Sequence, residues 1–291
     1  MNKTSIIPVV TPFVDNKIDK NKILKHGENL LKNNMDFLFL AGSTGLGPST
    51  NTDEKKYLVD IFSHVHDHVI LQCGSLNLYD SMDLANYAKK NDIYAIAALP
   101  PYYFTDLKKE WLINYYIKIS QIYPTIIYNF PATTGYNITY NMVNEIKKNG
   151  GNVIGIKETT YNMEDMLETK NNVDDIKVYT GPDEYILSAF RENLDGYVSG
   201  AGNYGYEIIK KISENYSNEE GKKYQFLLNN LANMAKKYAP WSATYDMVEI
   251  MTGNNVDSPR EPILKISHEE RKKLEEETLN LLNKYNIKIK I

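Results

Sequence analysis

Eight times before residue 215, a short run of consecutive apolar residues gives way to a longer stretch in which apolar positions recur every three or four residues. The runs fall at residues 5–10, 37–41, 69–73, 93–99, 125–129, 153–157, 178–181 and 195–199. They are short, and most are rich in Val, Ile, Phe or Tyr, which predicts strands buried on both faces. The periodic stretches, at 19–33, 53–65, 79–90, 107–122, 139–149, 161–171, 182–192 and 204–214, predict amphipathic helices, several opening on an Asp or Thr cap. Parallel strands need crossover helices, and eight strands close with side chains filling the centre. The expected fold is therefore α/β, a closed (β/α)8 TIM barrel over residues 1–214, with an open doubly wound sheet as the alternative. Residues 215–291 carry no strand pattern; they predict helices at 219–238, 242–251 and 269–285 and a loop at 253–262. Leu274, Leu279, Leu281 and Leu282 need a surface to cover, so this helical extension is expected to pack on the barrel or on another subunit.

Charge and cysteine usage narrow the partners. A net charge of −4 and a pI near 5.8, with lysines interleaved among acids, argue against nucleic acid and anionic lipid and leave a small molecule. Cys73 is the single cysteine, which excludes an internal disulfide and a cysteine-based metal cluster and suits a reducing compartment. The apolar run Ile6-Ile7-Pro8-Val9-Val10 is too short for a signal core, and no run reaches membrane-spanning length; a cytoplasmic protein is expected.

Chemistry in such a barrel gathers at the carboxyl ends of the strands. The sixth run ends Val153-Ile154-Gly155-Ile156-Lys157. An ammonium drawn into an apolar interior loses hydration, which favours the neutral amine, a nucleophile toward a carbonyl. For a single lysine, the simpler alternative is a stem that snorkels to water. Its companions shift that balance. The fifth run ends Ile127-Tyr128-Asn129-Phe130-Pro131, and adjacent strands lie about 4.8 Å apart, so Tyr128 and Lys157 can meet over the mouth. The second runs into Gly42-Ser43-Thr44-Gly45, a small-residue turn whose N–H groups and hydroxyls can cradle a carboxylate. The fourth ends Leu99-Pro100-Pro101-Tyr102-Tyr103, adding phenols. An amine for a ketone, hydroxyl donors for a carboxylate and a phenol to move protons make the set a 2-oxo acid aldolase needs. His64, His66 and His68 straddle a helix end and a strand start and are expected to bind no metal. Cys73 is expected to be packing, and the charges of 269–277 a solvated helix face.

The order Gly42-Ser43-Thr44-Gly45, Pro101-Tyr102-Tyr103, Tyr128-Asn129-Phe130-Pro131, Gly155-Ile156-Lys157-Glu158-Thr159 resembles the dihydrodipicolinate synthase and N-acetylneuraminate lyase superfamily of class I aldolases. The resemblance spans residues 6–204. Within it, Gly42 to Ser49 and Gly74-Ser75-Leu76-Asn77 look most like the archaeal 2-keto-3-deoxygluconate aldolases of the Entner–Doudoroff pathway. It implies a carbon–carbon lyase, free of metal and cofactor, that cleaves 2-keto-3-deoxygluconate to pyruvate and glyceraldehyde. By the resemblance, Lys157 forms the imine and Tyr128 shuttles protons. Ser43 and Thr44 hold the carboxylate, and Thr44 relays a hydrogen bond between Tyr128 and Tyr103, the latter reaching in from a neighbouring subunit. Phe130 and Thr159 face the sugar, and Gly181 and Gly200 offer backbone groups. A homotetramer, as a dimer of dimers, is also implied.

Departures from the family patterns select a branch. Thr133 stands where synthases usually carry an arginine, and Leu46 where synthases and neuraminate lyases commonly carry Glu. Aldolases that accept phosphorylated substrate carry an arginine after the Pro-Tyr-Tyr motif and a tyrosine at the position of Phe130; here the residues are Asp106 and Phe130, and a carboxylate repels phosphate. The unphosphorylated sugar acid is the expected substrate. Another pyruvate-dependent lyase or synthase, or a non-catalytic barrel that binds a 2-oxo acid, remains the alternative.

Overall fold

The computed structural model describes residues 3–287. Eight parallel strands close into a barrel: β1 (Thr4–Pro8), β2 (Phe37–Leu40), β3 (Val69–Gln72), β4 (Ala95–Ala98), β5 (Thr125–Asn129), β6 (Val153–Glu158), β7 (Lys177–Thr180) and β8 (Gly196–Val198). Each pairs with its neighbours in chain order and β8 closes on β1, so the open-sheet alternative is excluded. The ladders are shorter than the apolar runs predict, because burial outlasts pairing at the strand ends. Val9, Cys73 and Ser199 lie past their strands, yet each N–H still donates across the barrel wall, to Phe39, Ala97 and Ile6 carbonyls at 3.1, 2.8 and 3.0 Å.

The crossovers are α1 (Lys20–Lys32), α2 (Thr52–Ile61), α3 (Leu78–Lys90), α4 (Lys109–Ser120), α5 (Tyr140–Lys148), α6 (Met163–Asn172), α7 (Ile186–Arg191) and α8 (Gly202–Glu214). Asp19 caps α1, and Asn51 with Glu54 forms a reciprocal capping box on α2. Two expected helices are shorter: that at 53–65 stops at Ile61 before a 3-10 stretch, Ser63–His68, and that at 182–192 opens as a 3-10 turn, Asp183–Tyr185. The three imidazoles of that first stretch take separate partners, Glu28, the Val59 carbonyl and the Asp36 carbonyl. A ribbon of Phe13–Val14 with Lys17–Ile18 was not expected from the pattern. Its two turn residues, Asp15 and Asn16, have φ of 47° and 60°, values that Asp and Asn tolerate and a tight hairpin needs.

Alternation along the strands sorts the core. Ile6, Phe39, Ile70, Ala97, Ile126, Tyr179 and Val198 fill the barrel, and a separate layer that includes Ile7, Leu38, Leu71, Ile127 and Val178 packs under the helices. Helices α9 (Glu219–Tyr238), α10 (Pro240–Thr252) and α11 (His268–Lys284) follow. Their apolar faces, with Leu231, Val248 and Leu274, join Tyr197, Ile208 and Ile209 in one cluster, so the extension covers α8 and the β8 side. The loop at 253–262 is anchored: Ser258 accepts from Phe13 N at 3.0 Å, and Arg260 binds Glu54 and the Ser49 carbonyl. Residues 1–2 and 288–291 of the expected segments lie outside the described residues.

One buried polar group sets an acid limit on this fold. His26 is fully buried, and its Nε2 lies 3.1 Å from Asn203 Oδ1, which also accepts from Val10 N. Burial lowers its pKa from 6.5 to about 4 against the opposing Asn203 bond. The unfolded chain takes up this proton near pH 6.5, whereas the folded chain waits until about pH 4. Folding stability therefore falls as pH drops through that window, by about 3 kcal/mol from this group. Urea melts of wild type and His26→Gln at pH 7 and pH 4.5 check this: the variant is expected to lose less stability on acidification.

Candidate active site

Strands β5 and β6 place Tyr128 and Lys157 directly opposite each other in register, both facing the barrel interior. Lys157 is 7% exposed, and its Nζ stands 3.8 Å from the centroid of the Tyr128 ring and 5.8 Å from that of Phe39. Among the described residues it has neither a hydrogen-bond nor an ion-pair partner. The snorkelling alternative does not hold, because the whole side chain is enclosed. Tyr128 is fixed on two sides, edge-on to Phe39 and stacked on Phe130 at 5.9 Å and 13°. That orientation sends its hydroxyl to Ser43 Oγ, 3.1 Å away.

The turn after β2 holds its shape through Leu46 N to Ser43 O and Gly47 N to Gly42 O, at 3.0 and 2.9 Å. Among the described residues the N–H groups of Ser43 and Thr44 have no acceptor, so two amides and the half-buried Thr44 hydroxyl are free for an anion, beside the Ser43 hydroxyl that Tyr128 holds. The Thr44 hydroxyl turns toward Gly200, where an added Cβ would lie 3.3 Å from it. Among the described residues the hydroxyl bonded to Tyr128 is Ser43's, and no hydrogen bond joins Thr44 to Tyr128 within one chain. Tyr103 lies on the exposed loop after β4, 75% exposed and edge-on to Phe104; one chain does not bring it to Tyr128. Asp106 is exposed on the same loop.

Thr159 is buried at the end of β6, its hydroxyl without a partner among the described residues, and Gly181 leaves room for it: a Cβ there would come within 2.2 Å of Thr159 Oγ1. Asp183, two residues beyond Gly181, was not anticipated. Its Oδ1 accepts from Ser199 Oγ at 2.5 Å and its Oδ2 from Ala201 N at 3.2 Å, and a Cβ at Gly200 would lie 3.8 Å from Oδ2. Burial pushes this carboxyl up to about 6 despite those donors. It adds an acid beside Thr44 and Gly200. Cys73 is buried, and burial raises its thiol to about 12, which makes it an inert packing group.

An enclosed, unpaired amine beside a tyrosine at the carboxyl ends of adjacent barrel strands defines a barrel built for carbonyl chemistry. The family model described as the dihydrodipicolinate synthetase family matches residues 1–280, and the chain belongs to this family. Among its relatives, the 2-dehydro-3-deoxy-phosphogluconate/2-dehydro-3-deoxy-6-phosphogalactonate aldolase of Sulfurisphaera tokodaii is 35% identical over 275 residues, covering 92% of this chain and 93% of the relative. The crystal structure of KD(P)GA from T. tenax superimposes with a TM-score of 0.92 at 29% identity, covering 97% of this chain and 99% of that one. A Sulfolobus 2-keto-3-deoxygluconate aldolase complex with D-KDPG gives a TM-score of 0.92 at 32% identity, covering 99% and 100%.

Proposed function

We propose that the protein is a class I aldolase that cleaves 2-keto-3-deoxygluconate to pyruvate and glyceraldehyde in the Entner–Doudoroff pathway. The observation that carries this reading is the enclosed Lys157 amine, unpaired and stacked against a tyrosine whose hydroxyl is bonded to Ser43.

The chemistry follows from the positions of these groups. The substrate carboxylate takes the free N–H groups and hydroxyls of Ser43 and Thr44, which brings its C2 ketone to Lys157. The amine adds to C2; Tyr128 returns a proton to the departing hydroxyl, and water leaves a protonated imine. Tyr128, now a phenolate, removes the C4 hydroxyl proton, the C3–C4 bond breaks, and its electrons reach the imine nitrogen as an enamine. Protonation at C3 and hydrolysis release pyruvate, consume the water set free earlier and restore the amine. The step gains most from an electron sink present before bond cleavage. No metal or cofactor is assigned a part in it.

Thr159, Gly181, Gly200 and Phe130 surround the remaining carbons. A homotetramer built from tight dimers fits the exposed Tyr103, which one chain leaves away from its own Tyr128, and we assign it to the mouth of a neighbouring subunit's site. A cytoplasmic location accords with the single buried thiol; among the described residues, no helix is long and apolar enough to cross a membrane.

We assign the unphosphorylated acid as the preferred substrate, since the loop after β4 offers Asp106 and the position beside Tyr128 is Phe130, neither a phosphate donor. Pyruvate release assayed on 2-keto-3-deoxygluconate and on its 6-phosphate tests both levels. The expected kcat/KM favours the unphosphorylated acid by about tenfold or more, the effect of one missing charge-assisted contact. A preference for the phosphate overturns the substrate assignment, and cleavage of neither overturns the aldolase reading.

A further inference from the structure

The residues that follow the reacting pair on the two strands also face each other, but on the outside of the barrel wall. Asn129 follows Tyr128, Glu158 follows Lys157, and the two are opposed in the same register. Both are buried, at 0% and 1% exposure, and Asn129 Nδ2 donates to Glu158 Oε2 at 2.8 Å. The same amide donates to Asn137 Oδ1 at 2.8 Å, and Asn129 Oδ1 accepts from Ile138 N at 3.0 Å. Asn129 therefore pins the returning end of the segment that begins with Phe130, the ring stacked on Tyr128. The backbone of Glu158 carries the next contact, accepting Gly181 N at 2.7 Å. The side-chain pair thus ties β5, β6 and the segment at Asn137–Ile138, and the Glu158 backbone adds the loop after β7.

We propose that the Asn129–Glu158 hydrogen bond positions the Tyr128–Lys157 pair from behind the barrel wall. This rests on the aldolase reading of the pair. The acid's surroundings support its protonated form. It borders a cavity of about 100 Å³ that Asp165 and Glu168 of α6 also line, with Tyr140 on the α5 side. Thr180 of β7 stands opposite it in register, its hydroxyl without a partner among the described residues. No cation lines that cavity among the described residues. Burial first and Asp165 second push the Glu158 carboxyl up to about 8, against the Asn129 bond. Above that pH a buried carboxylate forms beside the half-buried Asp165, and the wall behind the reacting pair has to adjust. Below it, the pair stays registered. Glu158 touches no substrate; it is a positioning residue.

Glu158→Gln keeps a neutral acceptor for Asn129, and Glu158→Ala removes it. Two readouts separate the outcomes: kcat for sugar-acid cleavage against pH, and acetylation of Lys157 by acetic anhydride relative to surface lysines, read by peptide mass spectrometry, which needs no ketone. Glu158→Gln is expected to match wild type at pH 7 and to lack an alkaline fall in kcat near pH 8. Glu158→Ala is expected to lose about tenfold or more in kcat with KM little changed, the cost of small misplacement in a reacting pair. Its relative Lys157 acetylation is also expected to differ from wild type. If wild type cleaves no sugar acid while Lys157 acetylation still separates Ala from Gln, the aldolase reading falls and the positioning role stands. Equal acetylation and equal pH profiles in all three proteins overturn the positioning role.

Discussion

Lys157→Ala is expected to abolish turnover, with a loss of about 10⁴-fold or more in kcat, while the protein stays folded. The first half follows from chemistry: without the amine there is no imine and no sink for the electrons of the C3–C4 bond, and losses of that order accompany removal of a covalent nucleophile. The second half follows from packing. Lys157 has no ion-pair partner among the described residues, so its removal strands no opposite charge, and burying its unpaired polar head itself opposes folding. Lost contacts with the Phe39 and Tyr128 rings act the other way. Pyruvate release and a thermal melt on one preparation check both halves. A variant that turns over near the wild-type rate contradicts the mechanism.

Tyr128→Phe is expected to cost about 10²–10⁴-fold in kcat, the range for a general acid–base group. The phenylalanine ring keeps the stack on Phe130 and the edge contact with Phe39, so the substitution removes only the hydroxyl. Folding is expected to weaken by about 1 kcal/mol from the bond to Ser43, whose own hydroxyl is half-buried and can turn to water. Imine formation is slowed together with cleavage, because Tyr128 serves both. Single-turnover measurement of pyruvate release separates this from a binding defect: a raised KM with unchanged kcat would assign Tyr128 to binding instead.

What could be read before the fold was known is the part of the site written into strands. Lys157 and Tyr128 stand out because a polar side chain ending an apolar run has few structural reasons to be there, and the eight-fold alternation fixes which end of the barrel it faces. The Ser43–Thr44 turn stands out because small residues cluster after a strand. The order of their contacts does not. That Ser43 rather than Thr44 meets Tyr128 depends on a ring held between Phe130, just past the same strand, and Phe39, from a strand remote in sequence. Asp183 escaped for a similar reason. It lies in a 3-10 turn after Gly181-Pro182, where an acid reads as an exposed cap, and only the donors Ser199 and Ala201, from the segment after β8, make it part of the mouth. Its place at a strand's carboxyl end was the available signal. Asn129 and Glu158 sit next to the reacting pair in both motifs, yet the period of two turns them outward, and their partnership depends on the register of β5 against β6. The ribbon at Phe13–Ile18 has strands of two residues, too short for any alternation to register.

The amine's reactivity toward a 2-oxo acid is the point on which the account turns. Incubation with pyruvate and sodium borohydride, followed by peptide mass spectrometry, measures it directly. The account predicts a reduced pyruvyl adduct on Lys157, absent from Lys157→Ala and formed more slowly in Tyr128→Phe. Folded protein that binds pyruvate and leaves Lys157 unmodified would contradict it and favour a barrel that only binds the acid.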